Sequence, residues 1–154
     1  MQPFEGERVF AASPADLWPK MRDAAFLAEC IPDGTPHAGG TRDRAVCTVH
    51  PGFSLMKGSL DVTIEILGGE EPTTLRYAQL SKGIGSSSEV ETNVTLTPFE
   101  GVTRIHWRAE IKKLGGLLKM APAGLIRGAA NRVIEDVWTG LAKKVSGPFS
   151  EKGS

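Results

Sequence analysis

Cysteine is scarce: two residues, Cys30 and Cys47, in a chain of 154. Two thiols cannot build a disulfide framework, and in a reducing compartment both are expected to stay free. Excess charge is missing too. Eighteen Lys and Arg balance eighteen Asp and Glu. With no net field, electrostatics makes no case for nucleic acid or for an anionic membrane surface. No stretch approaches the roughly 20 apolar residues of a membrane-spanning helix. Met1-Gln2-Pro3-Phe4-Glu5 lacks the charged-then-apolar layout of a signal peptide. The expected location is cytoplasmic, with peripheral membrane contact left open. Repeats and low-complexity tracts are absent.

Catalytic signatures are equally thin. Ser86-Ser87-Ser88 has no G-x-S-x-G frame. Gly83-Ile84-Gly85-Ser86 lacks the Gly-Lys-Ser/Thr ending of a phosphate loop, and no helix follows. Cys47 and His50 lie three apart on an expected strand, so their side chains point to opposite faces and cannot share a metal. Cys30 and His37 add no metal-ligand spacing, so neither metal nor cofactor is expected. His106 alternates with Arg104 and Arg108 on a polar face, His37 sits in a Gly-rich loop, and His50 precedes Pro51 at a strand end. His106 reads as a surface residue, His37 as solvated loop or else a pocket rim, and His50 stays ambiguous. Asn93-Val94-Thr95 is a glycosylation sequon by pattern alone.

What is present is periodicity. Phe4 to Ala12 reads as a strand. Ser13-Pro14-Ala15-Asp16 reads as a helix start, with a capping serine, proline in the first turn and an acid three residues on. A second short helix is expected over Ala24 to Cys30, ended by Ile31-Pro32-Asp33-Gly34. Period-two patterning then dominates. Strands are expected over Arg42–His50, Phe53–Leu67, Thr73–Lys82, Ser86–Thr97 and Val102–Lys112. Turns fall at 68–72 and at Phe99-Glu100-Gly101. Leu60, Val62, Ile64 and Ile66 alternate with polar residues. So do Val90, Thr92, Val94 and Leu96, and likewise Ile105, Trp107, Ala109 and Ile111. One buried and one wet face marks an antiparallel sheet.

Beyond Lys113 the period lengthens. Leu125, Ile126, Ala129, Ala130, Val133, Ile134, Val137, Trp138 and Leu141 recur at three- and four-residue steps. They imply a helix of roughly 25–30 residues. Pro122 is expected to lie in its first turn or to kink it, and Ser146-Gly147-Pro148 is expected to stop it. Residues 1–146 thus form one α+β domain with a loose tail over 147–154. The architecture is a curved antiparallel sheet of about six strands around a long C-terminal helix, with two short helices after the first strand.

Small residues crowd the first half of that helix: Ala121, Ala123, Gly124, Gly128, Ala129 and Ala130. They cannot fill the hollow of a curved sheet, so an apolar cavity is expected. Its sheet wall would be Val62, Ile64, Tyr77, Val90, Thr92, Val94, Trp107 and Ala109. Its helix wall would be Met120, Leu125, Ile126, Ala129 and Val133. Tyr77 and Trp107 carry polar tips on apolar bodies and could orient a ligand. Arg76 and Lys57 are candidates for a charge at the mouth.

Several segments resemble the carbon monoxide dehydrogenase CoxG-like family of the START/Bet v 1-like (SRPBCC, helix-grip) superfamily. They are Phe4-x-Gly6, Ala12-Ser13-Pro14-x-x-Leu17-Trp18 and Leu27-Ala28-x-Cys30-Ile31-Pro32. Gly58-x-Leu60-x-Val62, Gly83-x-Gly85, Leu96-x-Pro98-x-x-Gly101-x-Thr103-x-Ile105-x-Trp107, and Gly116-x-Leu118 to Trp138 complete the set. The resemblance implies a helix-grip fold around a hydrophobic ligand, such as a lipid, quinone or aromatic compound. It also implies an accessory role beside a molybdenum hydroxylase or carbon monoxide dehydrogenase-like oxidoreductase, without a catalytic constellation. Asp33 and the pair Trp138-Thr139 depart from the family's usual residues. Two other classes stay open: a cyclase or dehydratase-type enzyme using the same cavity, and a protein-docking or assembly module. An inward ionisable group would favour the first, an exposed apolar patch the second.

Overall fold

The computed structural model describes residues 3–50, 58–83 and 85–153, with side chains through 145. Strand β1 (Phe4–Phe10) leads into helix α1 (Pro14–Met21). Ser13 is extended at the helix start, and its hydroxyl accepts from the Asp16 N–H at 3.2 Å. That bond satisfies one of the first-turn donors a helix leaves unpaired. Helix α2 (Ala24–Glu29) is capped likewise by Asp23, whose carboxylate accepts from the Phe26 N–H.

The remaining elements are β2 (Thr35–Pro36), β3 (Arg44–Val49), β4 (Leu60–Glu70), β5 (Thr74–Gly83), β6 (Ser86–Phe99), β7 (Val102–Gly116), a 3₁₀ turn (Leu117–Met120) and α3 (Ala123–Gly153). The strands form one seven-stranded antiparallel sheet in the order β1-β7-β6-β5-β4-β3-β2. Two register shifts, between Ile66 and Gly68 and between Glu89 and Val90, interrupt the long central strands. Such bulges bend a strand and raise its twist, which curls the sheet.

Several boundaries differ from those expected. The additional strand is β2, a two-residue edge pairing Thr35 with Thr48 and Pro36 with Cys47; two residues are too few to show a period. Strand β4 continues through Gly68 and Gly69 to Glu70, because the register shift keeps them paired with Arg76 and Leu75. Strand β7 runs on to Gly116. Helix α3 continues past Ser146-Gly147-Pro148 to Gly153. A proline forfeits one hydrogen bond there while its fixed φ still suits a helix. Residues 53–57 of one expected strand, and Lys57 with them, lie outside the described residues.

The core lies between the concave sheet face and the helices. It joins Leu17, Trp18 and Met21 of α1 and Leu27 and Ala28 of α2 to the inward strand residues and to Ile134, Val137, Trp138 and Leu141 of α3. The Trp18 indole donates to the Thr74 carbonyl at 2.8 Å, which ties α1 to the start of β5. No helix among the described residues is long and apolar enough to cross a membrane.

Candidate ligand site between sheet and helix

Strand register places the inward side chains in rungs across the sheet. One rung runs Leu75, Val94, Trp107, Gly6. The next runs Tyr77, Thr92, Ala109, Phe4. The third runs Ile64, Gln79, Val90, Ile111. The first two rungs are sealed on their central strands: Leu75, Val94, Trp107, Tyr77, Thr92 and Ala109 are all buried. In the third, Gln79 and Val90 are half-buried, as are Ser81 and Ser88 farther along.

Helix α3 shows the same gradient. Ile134, Val137, Trp138 and Leu141 are buried, whereas in the first two turns Ile126 alone is. The Trp138 ring meets Tyr77 edge-on, with centroids 6.1 Å apart, and Phe10 at 6.5 Å. Helix and sheet are therefore in contact at the Trp138 end, and the burial of α3 thins toward the Gly116 end. At that end the chain turns through Gly116, whose φ of +62° favours glycine. A Cβ there would collide with the Gly85 carbonyl.

The expected sheet wall is inward: Val62, Ile64, Tyr77, Val90, Thr92, Val94, Trp107 and Ala109 share the concave face. The expected helix wall divides. Ile126 faces in and Ala129 is half-buried, but Met120 is 86% exposed, Leu125 59% and Val133 36%. Leu125 precedes Ile126 by one residue, a rotation of about 100° around the helix axis, which carries it off the buried stripe. Met120 belongs to the 3₁₀ turn ahead of α3. The inward helix residues Ile134, Val137, Trp138 and Leu141 were missed as lining; their i, i+3, i+4, i+7 spacing marks them as one face.

Four polar atoms are buried in this apolar interior without a protein hydrogen-bond partner among the described residues: Tyr77 Oη, Thr92 Oγ1, Trp107 Nε1 and Trp138 Nε1. Buried polar atoms are paired in the great majority of cases, so each such exception asks for a cause. Desolvation pushes the Tyr77 phenol well above its usual range, and the neighbouring Thr92 hydroxyl only partly offsets this. The two residues face each other across β5 and β6.

A charge also reaches the concave face. Arg8 of β1 donates to Thr139 Oγ1 at 3.0 Å and lies 3.8 Å from Glu135 Oε2, so α3 already holds it. Sequence reading missed Arg8; its place between the inward Gly6 and Phe10 was the available signal. The buried thiols are inert. Desolvation pushes Cys30 up to about 11 and raises Cys47 as well.

Elsewhere the candidates are at the surface. His106 contacts Glu5 at 2.9 Å on the convex face, where its hydrogen bond and charge lower the Glu5 carboxyl's pKa. His37 Nε2 lies 2.6 Å from Thr48 Oγ1, exposed. Cys47 is buried while His50 is exposed. Arg76 is about half exposed and pairs with Glu91 on the outer face. An open hollow of about 260 Å³ lies at the Gly116 end, lined by Lys82, Gly83, Gly85, Ser86, Ser87 and Gly116. It includes none of the expected lining residues.

A curved antiparallel sheet gripping one long C-terminal helix, with two short helices after the first strand, defines the START/Bet v 1-like helix-grip class. Solved structures agree. A conserved protein from Geobacillus kaustophilus superposes with a TM-score of 0.79 at 20% identity, over 94% of this chain and 95% of that one. Ara h 8.0201 gives 0.67 at 14%, over 94% and 97%. A START superfamily protein from Mycobacterium smegmatis gives 0.65 at 11%, over 94% and 97%. Within that class, the chain belongs to the CoxG family, that of the carbon monoxide dehydrogenase G-subunit, whose model matches residues 6–146. A comparison with curated protein sequences gives no match.

Proposed function

We propose that this protein binds a hydrophobic small molecule, of the lipid, quinone or aromatic kind, between the concave sheet and the first half of α3. One observation carries the reading: α3 is buried at Ile134, Val137, Trp138 and Leu141 but in its first two turns only at Ile126, while Val90 and Gln79 on the inward sheet face are left half-buried. A ligand seated there would cover apolar surface at roughly 25 cal/mol per Å², less the cost of ordering it.

The reading is of a carrier rather than an enzyme. Tyr77, Cys30 and Cys47 are all held in their protonated forms by burial, and Arg8 is engaged by Glu135 and Thr139. None of these is poised as a general base near neutral pH. Family membership supports an accessory role beside a molybdenum hydroxylase or carbon monoxide dehydrogenase-like enzyme.

Native mass spectrometry of freshly purified protein tests the binding. An apolar adduct that leaves on organic extraction, together with uptake of Nile red by the extracted protein, is the expected result. Ala129→Trp, at the half-buried edge of the opening, should weaken that uptake. A bare mass with no probe uptake by the folded protein would refute the reading.

A further inference from the structure

We propose that the end of the molecule formed by the 3₁₀ turn and the start of α3 is a docking face for an anionic lipid surface, with Leu117, Met120 and Leu125 entering the interface and Lys113 and Lys119 meeting the headgroups. The inference is independent of the ligand reading above.

The apolar part comes first. From Gly115 to Ile126 the sequence holds one polar side chain, Lys119. Such a stretch belongs in a core, yet here it lies on the outside. Met120 is 86% exposed, Leu117 65% and Leu125 59%, and Ile126 is the one buried residue of the stretch. The turn is held in place rather than loose: the Leu117 N–H donates to the Gly85 carbonyl at 3.0 Å, which fixes it against the β5–β6 connection. Large apolar side chains exposed together, on a fixed support, mark an interaction surface.

Charge selects the occupant. The whole chain is neutral, but its charges are segregated. Between Glu110 and Glu135 stand Lys112, Lys113, Lys119, Arg127 and Arg132, with no Asp or Glu among them. The outer two are matched by flanking acids, Lys112 by Glu110 at 3.1 Å and Arg132 by Asp136 at 4.0 Å. Glu89 stands opposite Lys113 across the sheet without an ion pair forming. Lys113 and Lys119, both exposed, thus keep their charge unpaired among the described residues, as does the half-buried Arg127. Apolar side chains interleaved with cations match the boundary between headgroups and acyl chains of an anionic leaflet. A lasting protein interface needs about 800 Å² on each side, whereas a bilayer receives a few separate side chains because lipid moves around them. The open hollow lined in part by Lys82 and Ser87 adjoins the turn and adds donors for a headgroup.

Cosedimentation of the full chain with vesicles tests this. One set is phosphatidylcholine alone; the other contains phosphatidylglycerol as its minor component. The mixed vesicles should be bound more tightly, and added salt should release the protein from them. Lys113→Gln with Lys119→Gln should weaken that binding more than about tenfold, at about fivefold for each charge near an anionic surface. Leu117→Ser with Met120→Ser should weaken binding to both kinds of vesicle by at least about tenfold, through lost apolar burial. Val9→Ser with Arg104→Gln, an exposed pair at the far end of β7, should bind as wild type does. All these side chains are exposed, and thermal melts confirm that each variant is folded. Sedimentation with neither vesicle would overturn the proposal, and so would equal weakening by the near and far substitutions. A dimer that Leu117→Ser with Met120→Ser converts to monomer would give the face to a second copy and overturn it too. Nile red uptake by the same preparation keeps the fate of the ligand reading separate.

Discussion

Gly6 has no side chain because Trp107 occupies the space where one would be. A Cβ there would sit 2.6 Å from Trp107 Cζ2 and 2.8 Å from Cε2. The indole is fully buried and held edge-on by Phe4 at 6.0 Å, so it has little room to retreat. Gly6→Ala should therefore cost about 1–3 kcal/mol, the range for overpacking a core. Urea unfolding measures it, and a changed Trp emission would locate the strain; an unaltered midpoint would show that the ring moves freely. Cys30 gives a residue-level pH dependence. Burial in the fold pushes its thiol up from the ordinary 9.0 to about 11, chiefly through desolvation. Below pH 9 both states keep the proton. Above it the unfolded chain loses the proton first, so stability falls as pH rises from about 9 to 11. Urea midpoints across that window should fall more steeply for the wild type than for Cys30→Ala.

At the scale of the element, α3 carries two glycines with opposite roles. A Cβ at Gly140 would run into the Cys30 carbonyl at the end of α2, whereas a Cβ at Gly128 meets nothing within 4 Å. Gly140 lets two helices touch backbone to side; Gly128 only weakens its own helix. Gly128→Ala should stabilise by up to about 1 kcal/mol, the propensity difference. Gly140→Ala should destabilise, because two helix backbones would have to separate. Thermal melts of the two variants should move in opposite directions. The sequence could not distinguish these glycines, since the difference lies in a contact with a residue 110 positions away. The alternating strands were legible, because one wet face and one dry face impose period two on every long strand here. Strand β2 was not, being two residues at an edge. The stripe of α3 was legible as helix but not as to which side is covered. Leu125 and Val133 fit the apolar period as well as Ile134 and Val137 do, and only packing against Tyr77 and Phe10 selects the Trp138 side.

For the whole molecule, the consequence is a helix buried unevenly along its length. Helix α3 crosses from the Gly116 end, where its flank is exposed, to the Trp138 end, where Ile134, Val137, Trp138 and Leu141 join β1, β5 and α2 in one core. Local opening costs least where few apolar contacts must break. Amides at 127–131 should therefore exchange with deuterium well before those at 137–141 in the ligand-free protein. A molecule that binds only the folded state stabilises it by RT ln(1 + [L]/Kd), about 2.7 kcal/mol at a hundredfold excess over Kd. If the ligand bridges the open end, added protection should appear first in the slack half of α3 and along Gln79 and Val90. The Trp138 half, already limited by global unfolding, should gain only the global increment. Hydrogen exchange with and without bound Nile red reads this directly. Uniform protection of α3 in the free protein would mean that the two ends are gripped alike, and the opening on which the binding reading depends would not exist.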